Sequence, residues 1–192
     1  MARSSPGGRR PAGRRPPPGT ETGVAVAPAP SLAGATTARV WQGLGYRPLP
    51  DPTVARSLFD FVAVPWPEGG HVTLAWGAFT GGGAGERLVG AVAGESDGRA
   101  TLLHGPVVVA QDDPLEVAAQ LLAASLDHAV ALGAETVFAR PLGLDRLWVR
   151  YGFIPVPEGT LPAGLAARRG AGLYAWRGGT ALWTLREAPR EG

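Results

Sequence analysis

Leu144-Asp-Arg-Leu-Trp-Val-Arg-Tyr-Gly-Phe153 is the stretch from which the fold is read. It predicts a short helix, Leu144–Tyr151, stopped at Gly152. Glycine ends helices because it adopts the left-handed backbone conformation without a Cβ clash. Phe153 then opens a strand, Phe153–Pro157.

Upstream lies a strand, Glu135–Arg140, centred on Val137 and Phe138, followed by a loop at Pro141–Gly143. Before it comes the clearest helix of the chain. Asp113 stands at the N-cap, Pro114 at the first helical position and Glu116 three residues on, a capping box built on Asp. Leu115, Ala118, Ala119, Leu122, Leu126, Ala129 and Val130 form an apolar stripe, and Gly133 ends the helix.

Three strands are predicted ahead of that helix: His71–Phe79, Arg87–Gly94 and Arg99–Val109, with a hairpin turn at Ser96-Asp97-Gly98. Gly105-Pro106 interrupts the third strand and marks an edge or a bulge, since proline donates no ladder bond. Further upstream, Gly23–Pro28 reads as a strand, Ser31 as the cap of a helix reaching Gly43, and Asp51-Pro52 as another helix start. In that last helix Val54, Leu58 and Phe61 have helical spacing. At the far end, a helical turn within Leu161–Arg169 precedes strand Leu173–Arg177, and Gly178-Gly179 permits a hairpin to Ala181–Arg186. The predicted order is β-α-α-β-β-β-α-β-α-β-β.

The chain has 192 residues, suited to one domain with a full core. Residues 1–21 form a basic Pro/Gly/Arg-rich tail expected to be disordered, 22–187 a single folded domain, and 188–192 a short C-terminal tail. Cysteine is absent, which excludes disulfides and thiolate chemistry, and lysine is absent, which excludes Schiff-base and P-loop lysines. Residues 1–20 hold five Arg and no acid, so the remainder, with 13 Arg against 16 acids, carries −3. Nucleic-acid contact is therefore expected only through the basic tail. No apolar run approaches the ~20 residues of a membrane span, and a cytoplasmic protein is expected. His71, His104 and His128 lack metal-ligand spacing, so no metal is expected.

The element order and the Leu144–Phe153 stretch resemble the GNAT superfamily of N-acetyltransferases, in which a helix ending "L-Y-x-x-x-G-F" runs into a strand. The resemblance covers about residues 22–177. It implies an α/β (α+β) fold with a mixed, mostly antiparallel sheet flanked by helices. It also implies acyl transfer from acetyl-CoA to a primary amine of a small molecule or peptide, and admits a homodimer. In this family the strand corresponding to Arg99–Val109 is bulged and splays from the next, and the pantetheine arm of the donor enters the gap. Val107, Val108 and Val109 would then line the arm. The family's phosphate loop reads roughly Q/R-x-x-G-x-G/A at the start of the long helix. Here Asp113 falls on its Q/R position and Glu116 on its first Gly position, with Pro114 between them, and only Ala118 matches. Arg146 and Arg150, grouped with Arg140, are the residues suited to meeting donor phosphates from the side. Many members use the motif Tyr to protonate the leaving thiolate. That position is Trp148, which leaves Tyr151, three residues on, as the candidate acid.

The candidate base is His104, just before the Gly105-Pro106 break. Glu95, beside a turn, reads as a solvated carboxylate, and His128, late on the long helix, as a position where positive charge suits the helix dipole. A second reading remains open: a GNAT-fold ligand- or partner-binding protein that no longer takes CoA. The departures at Asp113-Pro114 and Trp148 favour it.

Overall fold

The computed structural model describes residues 31–67, 71–81, 85–110, 112–168 and 170–178. The predicted strand Gly23–Pro28, both tails and the predicted hairpin strand Ala181–Arg186 lie outside them.

The deciding stretch folds as a helix, α4 (Asp145–Arg150), with a capped end. Gly152 has φ 82°, its N–H donates to Val149 O, and the N–H of Phe153 donates to Trp148 O at 3.0 Å. These are the two backbone bonds of a Schellman motif, and the apolar contact that accompanies it is present. The rings of Trp148 and Phe153 meet edge to face at 5.0 Å, and both are fully buried. Such a pair adds ~0.5–1.5 kcal/mol beyond its burial. The strand that follows, β7, is only Ile154–Pro155.

Ahead of this unit, the strands β1 (Arg39–Trp41), β2 (Leu44–Pro48), β3 (Val72–Thr80), β4 (Arg87–Asp97), β5 (Ala100–Val108) and β6 (Thr136–Ala139) form one sheet with β7 and β8 (Tyr174–Trp176). Their order is β1-β2-β3-β4-β5-β6-β8-β7. Every neighbouring pair is antiparallel except β5–β6. The expected mixed, mostly antiparallel sheet is what forms.

The helices cover both faces. Along β3, Leu74, Trp76 and Ala78 turn to one side and Ala75 to the other, as strand alternation requires. The first side packs on the long helix α3 (Pro114–Ala131), on α4 and on Phe153. The second packs on a 3-10 turn (Pro52–Ala55) and α2 (Arg56–Phe61), through Ala55, Leu58 and Phe59. A third cluster joins Leu102 and Phe138 to Leu165 of the short helix α5 (Ala163–Ala166).

Several predicted elements are corrected. The helix expected from Ser31 to Gly43 is only α1 (Leu32–Ala35). Thr36 and Thr37 turn their hydroxyls back on the carbonyls of Leu32 and Ala33 and end it. Gln42 and Gly43, both with positive φ, then close a two-residue hairpin between β1 and β2. In the 3-10 turn and α2, Val54 and Phe61 are exposed, so their helical spacing does not mark the packed face. Leu115, counted in the stripe of α3, is also exposed, because it sits in the first turn beyond the sheet. The capping box closes halfway. Asp113 accepts from the N–H of Glu116, but the Glu116 carboxylate accepts from Gln120 instead of reaching back.

No helix among the described residues is long and apolar enough to cross a membrane.

Candidate functional site

The sheet opens where β5 outruns β6. The parallel ladder pairs Ala100 through Leu103 with Thr136 through Ala139 and ends there. On its other edge β5 continues along β4 to the pair Val108–Gly90. A bulge interrupts that pairing: Ala93 faces His104 and Ala91 faces Val107, so Gly105 and Pro106 together oppose Val92. The expected break at Gly105-Pro106 is thus an internal bulge. Beyond it, the bond from Val109 N–H to Val89 O fixes the phase of the ladder. Val107 and Val109 bond toward β4, and Val108 presents its N–H and C=O to the open edge.

At this opening lies a cavity of about 530 Å³. Leu103, His104 and Gly105 line it from β5, and Arg140 and Leu142 from the chain leaving β6. Val64, Pro65, Trp66 and Pro67 form an apolar wall, and Ala167, Arg168, Gly170 and Ala171 close it from the segment after α5. Trp66 is set by its edge-to-face contact with Phe59 at 5.0 Å.

His104 sits just outside the last β5–β6 pair. Its Nε2 lies 2.7 Å from Glu95 Oε2. Glu95 lies diagonally across the β4–β5 ladder and is fully buried, so it is not the solvated carboxylate expected from its place beside a turn. Arg168 grips both its oxygens, Nε to Oε2 at 2.7 Å and Nη2 to Oε1 at 2.6 Å. Burial alone would push the Glu95 carboxyl up. The hydrogen bonds and charges of His104 and Arg168 outweigh burial and hold it at about 2. An ionised carboxylate only accepts, so His104 donates from Nε2, and the one ring nitrogen able to act as an acceptor is Nδ1. A histidine held in this way by a buried carboxylate has the geometry that a general base requires.

Arg140 parts from the other two arginines with which it was grouped. It is buried, and donates to Glu158, Gly172 O and Arg168 O. Its Nε is buried with no partner among the described residues. Arg146 and Arg150 are exposed on α4. Tyr151 donates its hydroxyl to Ala119 O at 2.9 Å, tying the end of α4 to α3, and it is not among the residues lining the cavity. Trp148, at the family's Tyr position, donates its indole N–H to Pro141 O and belongs to the core.

The pantetheine part of a donor fits the open edge at Val108. The diphosphate part does not fit the start of α3. Pro114 has no N–H, and Asp113 already accepts from Glu116 N–H through Oδ1 at 3.4 Å and through its carbonyl, and from Val117 N–H. Ala118 is buried against the sheet. The hydroxyl of Tyr46, packed at this end, is pushed up to about 12 by burial and then by the negative charges of Glu116 and Asp113. A carboxylate about 5 Å from a phosphate charge costs ~3 kcal/mol at an effective dielectric near 20.

His128 is corrected as well. It is buried, its Nδ1 accepts from Trp76 Nε1 at 3.2 Å, and burial pushes it below the usual histidine range, so it does not serve the helix dipole as a cation. Among the described residues there is no group of three or more His, Asp or Glu placed to hold a metal ion.

Sequence reading left out Arg168. It stood in a loop of small apolar residues, and only the pairing of two arginines at 168 and 169 set it apart.

Solved structures share the fold. The chain matches N-acetylglutamate synthase from Neisseria gonorrhoeae, complexed with coenzyme A and N-acetyl-glutamate, at TM-score 0.56 and 15% identity. The match covers 72% of this chain and 35% of that one, so the chain spans about a third of the Neisseria enzyme. An acetyltransferase from Streptococcus agalactiae matches at TM-score 0.53 and 12% identity, over 71% of this chain and 99% of that one. The GNAT domain of S. lividans PAT matches at TM-score 0.52 and 14% identity, over 76% and 98%. No family model and no curated protein matches the sequence. The chain has the GNAT acetyltransferase fold.

Proposed function

We propose that the protein is an N-acyltransferase that moves an acyl group from a pantetheine thioester, acetyl-CoA being the simplest, to the amine of a small molecule or peptide. The observation that carries the reading is His104 on buried Glu95, lining a cavity at the point where β5 and β6 part. The shared fold with acetyltransferases, some of them solved with coenzyme A, supports the same reading.

In this reading the donor supplies an acyl carbon activated by sulfur. The apolar wall at Val64–Pro67 holds the body of the acceptor and excludes water from its amine. His104 accepts the proton that the nitrogen loses as the C–N bond forms. Glu95 keeps the ring in the tautomer that can accept it, and Arg168 fixes Glu95. The C–S bond breaks with its electron pair on sulfur, the thiolate takes one proton from water, and His104 returns its proton to the hydroxide so formed, so protons balance. Val108 would hold the arm by its backbone. Arg146 and Arg150 are the exposed cations of α4. Tyr151 serves to tie α4 to α3.

The self-capped start of α3 favours a second reading, a binding protein that takes no thioester at all. One assay separates the two. The protein is incubated with acetyl-CoA or S-acetylpantetheine and a panel of amines, including α-amino acids and peptides, and mass spectrometry looks for acylated product. Enzyme-dependent product with either donor supports acyl transfer. Its absence with both, across the panel, overturns it.

A further inference from the structure

We propose that the protein grips its acyl donor by the pantetheine arm alone, and that the nucleotide half of coenzyme A adds almost nothing to binding. The inference rests on the acyltransferase reading above and narrows its donor.

Two features of one strand–helix junction meet here. Beyond Leu103 and Ala139 the open edge of β5 offers the N–H and C=O of Val108. An amide-bearing chain can pair there as an added strand would. The next element after β5 is α3, so whatever hangs from the outer end of that chain arrives at the first turn of α3.

A helix of 18 residues ordinarily welcomes a phosphate at this end, through N–H groups that lack partners. Here two of those four positions are lost to a ligand. Pro114 has none, and Glu116 and Val117 donate to Asp113. The first four N–H positions are thus reduced at Pro114 and Glu116, and Val117 N–H makes the first ordinary helical bond. The carboxylates of Asp113 and Glu116 add repulsion at the same turn, and Asp112 is exposed beside them. Nothing comparable compensates on α4, where Arg146 and Arg150 are exposed and their phosphate contacts are screened by solvent.

The test titrates the full chain with coenzyme A, pantetheine and adenosine 3′,5′-bisphosphate, by calorimetry and thermal shift. The expected result is Kd values for coenzyme A and pantetheine within about threefold of each other, less than 1 kcal/mol apart, with no shift from the bisphosphate at millimolar concentration. The variant Asp113→Gly keeps a residue suited to φ 43° while removing a charge and the side-chain acceptor of Glu116 N–H, whose bond to the carbonyl of residue 113 stays. Combined with Glu116→Gln, it should tighten coenzyme A about tenfold and leave pantetheine unchanged. Asp113→Gly alone, which keeps the Glu116–Gln120 contact, should move in the same direction by a smaller factor. Wild-type binding of coenzyme A tenfold or more tighter than pantetheine, with the bisphosphate competing, would overturn the proposal while leaving acyl transfer standing. Binding of neither thiol would overturn both.

Discussion

Glu95 and His104 face each other across the diagonal of the β4–β5 ladder, 2.7 Å apart, with His104 one residue past the last β5–β6 pair. A fully buried carboxylate thereby determines which imidazole nitrogen carries the proton at the edge of the cavity. His104→Gln keeps a donor for Glu95 and removes the proposed base. Turnover should fall ~10²–10⁴-fold. Stability should change by only about 1 kcal/mol, since a single bond is at stake and the amide keeps a donor for it. Rates measured beside melting curves check this, and equal loss of both would make His104 a packing residue.

The same pair predicts an acid limit. The folded-state carboxyl of Glu95 lies at about 2, below the ordinary 4.5. A depressed pKa stabilises the fold fully above the unfolded value and loses that contribution as pH falls toward the folded one. Glu95 should therefore add a slope to urea-unfolding stability between pH 4.5 and about 2. Glu95→Gln should remove that slope. At neutral pH it should also cost about 3 kcal/mol, by leaving Arg168 without its carboxylate. A variant with the wild-type slope would assign the acid transition to other groups.

The end of α4 was legible in the sequence because its causes are local. Gly152 supplies the positive φ, and Trp148 and Phe153 are spaced to meet beneath it. The bulge at Gly105-Pro106 was legible for the same reason. Arg168 and the burial of Glu95 were not, because 73 residues separate them in sequence and no local period records that partnership. The hairpin at Gln42-Gly43 was missed because Val40 and Trp41 are exposed, so the strand carried no buried alternation. Gly152→Ala tests the local part. Placing a Cβ at φ 82° should cost ~1–2 kcal/mol, and Gly152→Asn less, in equilibrium unfolding.

Trp76 and His128 predict a second pH effect, near neutrality. Burial holds His128 below its ordinary 6.5, and its Nδ1 accepts from Trp76 while the ring is neutral. Protonation would place a second donor against the indole N–H. The contribution of this pair is complete above pH 6.5 and declines as pH falls through the lower folded value. Unfolding at pH 7.5 and 5.5 should show wild type losing stability that His128→Gln does not lose. The variant itself should cost ~1–2 kcal/mol at the higher pH, through an imperfect fit in the core.

Tyr151 separates a tie from an acid. Its hydroxyl reaches Ala119 O at 2.9 Å, a carbonyl within α3, and so couples the helix that ends at Gly152 to the helix that covers the sheet. A hydroxyl with that role contributes through the folded state. Tyr151→Phe should lower stability by about 1 kcal/mol and change kcat by less than tenfold at saturating donor. An acid for the leaving thiolate predicts the reverse: an unchanged melting temperature with kcat down ~10²-fold or more, and a smaller loss with donors whose thiols are more acidic. Comparing an ordinary acetyl thioester with an acetyl thioester of an aromatic thiol gives the deciding readout, because a structural tie has no means of sensing the leaving group.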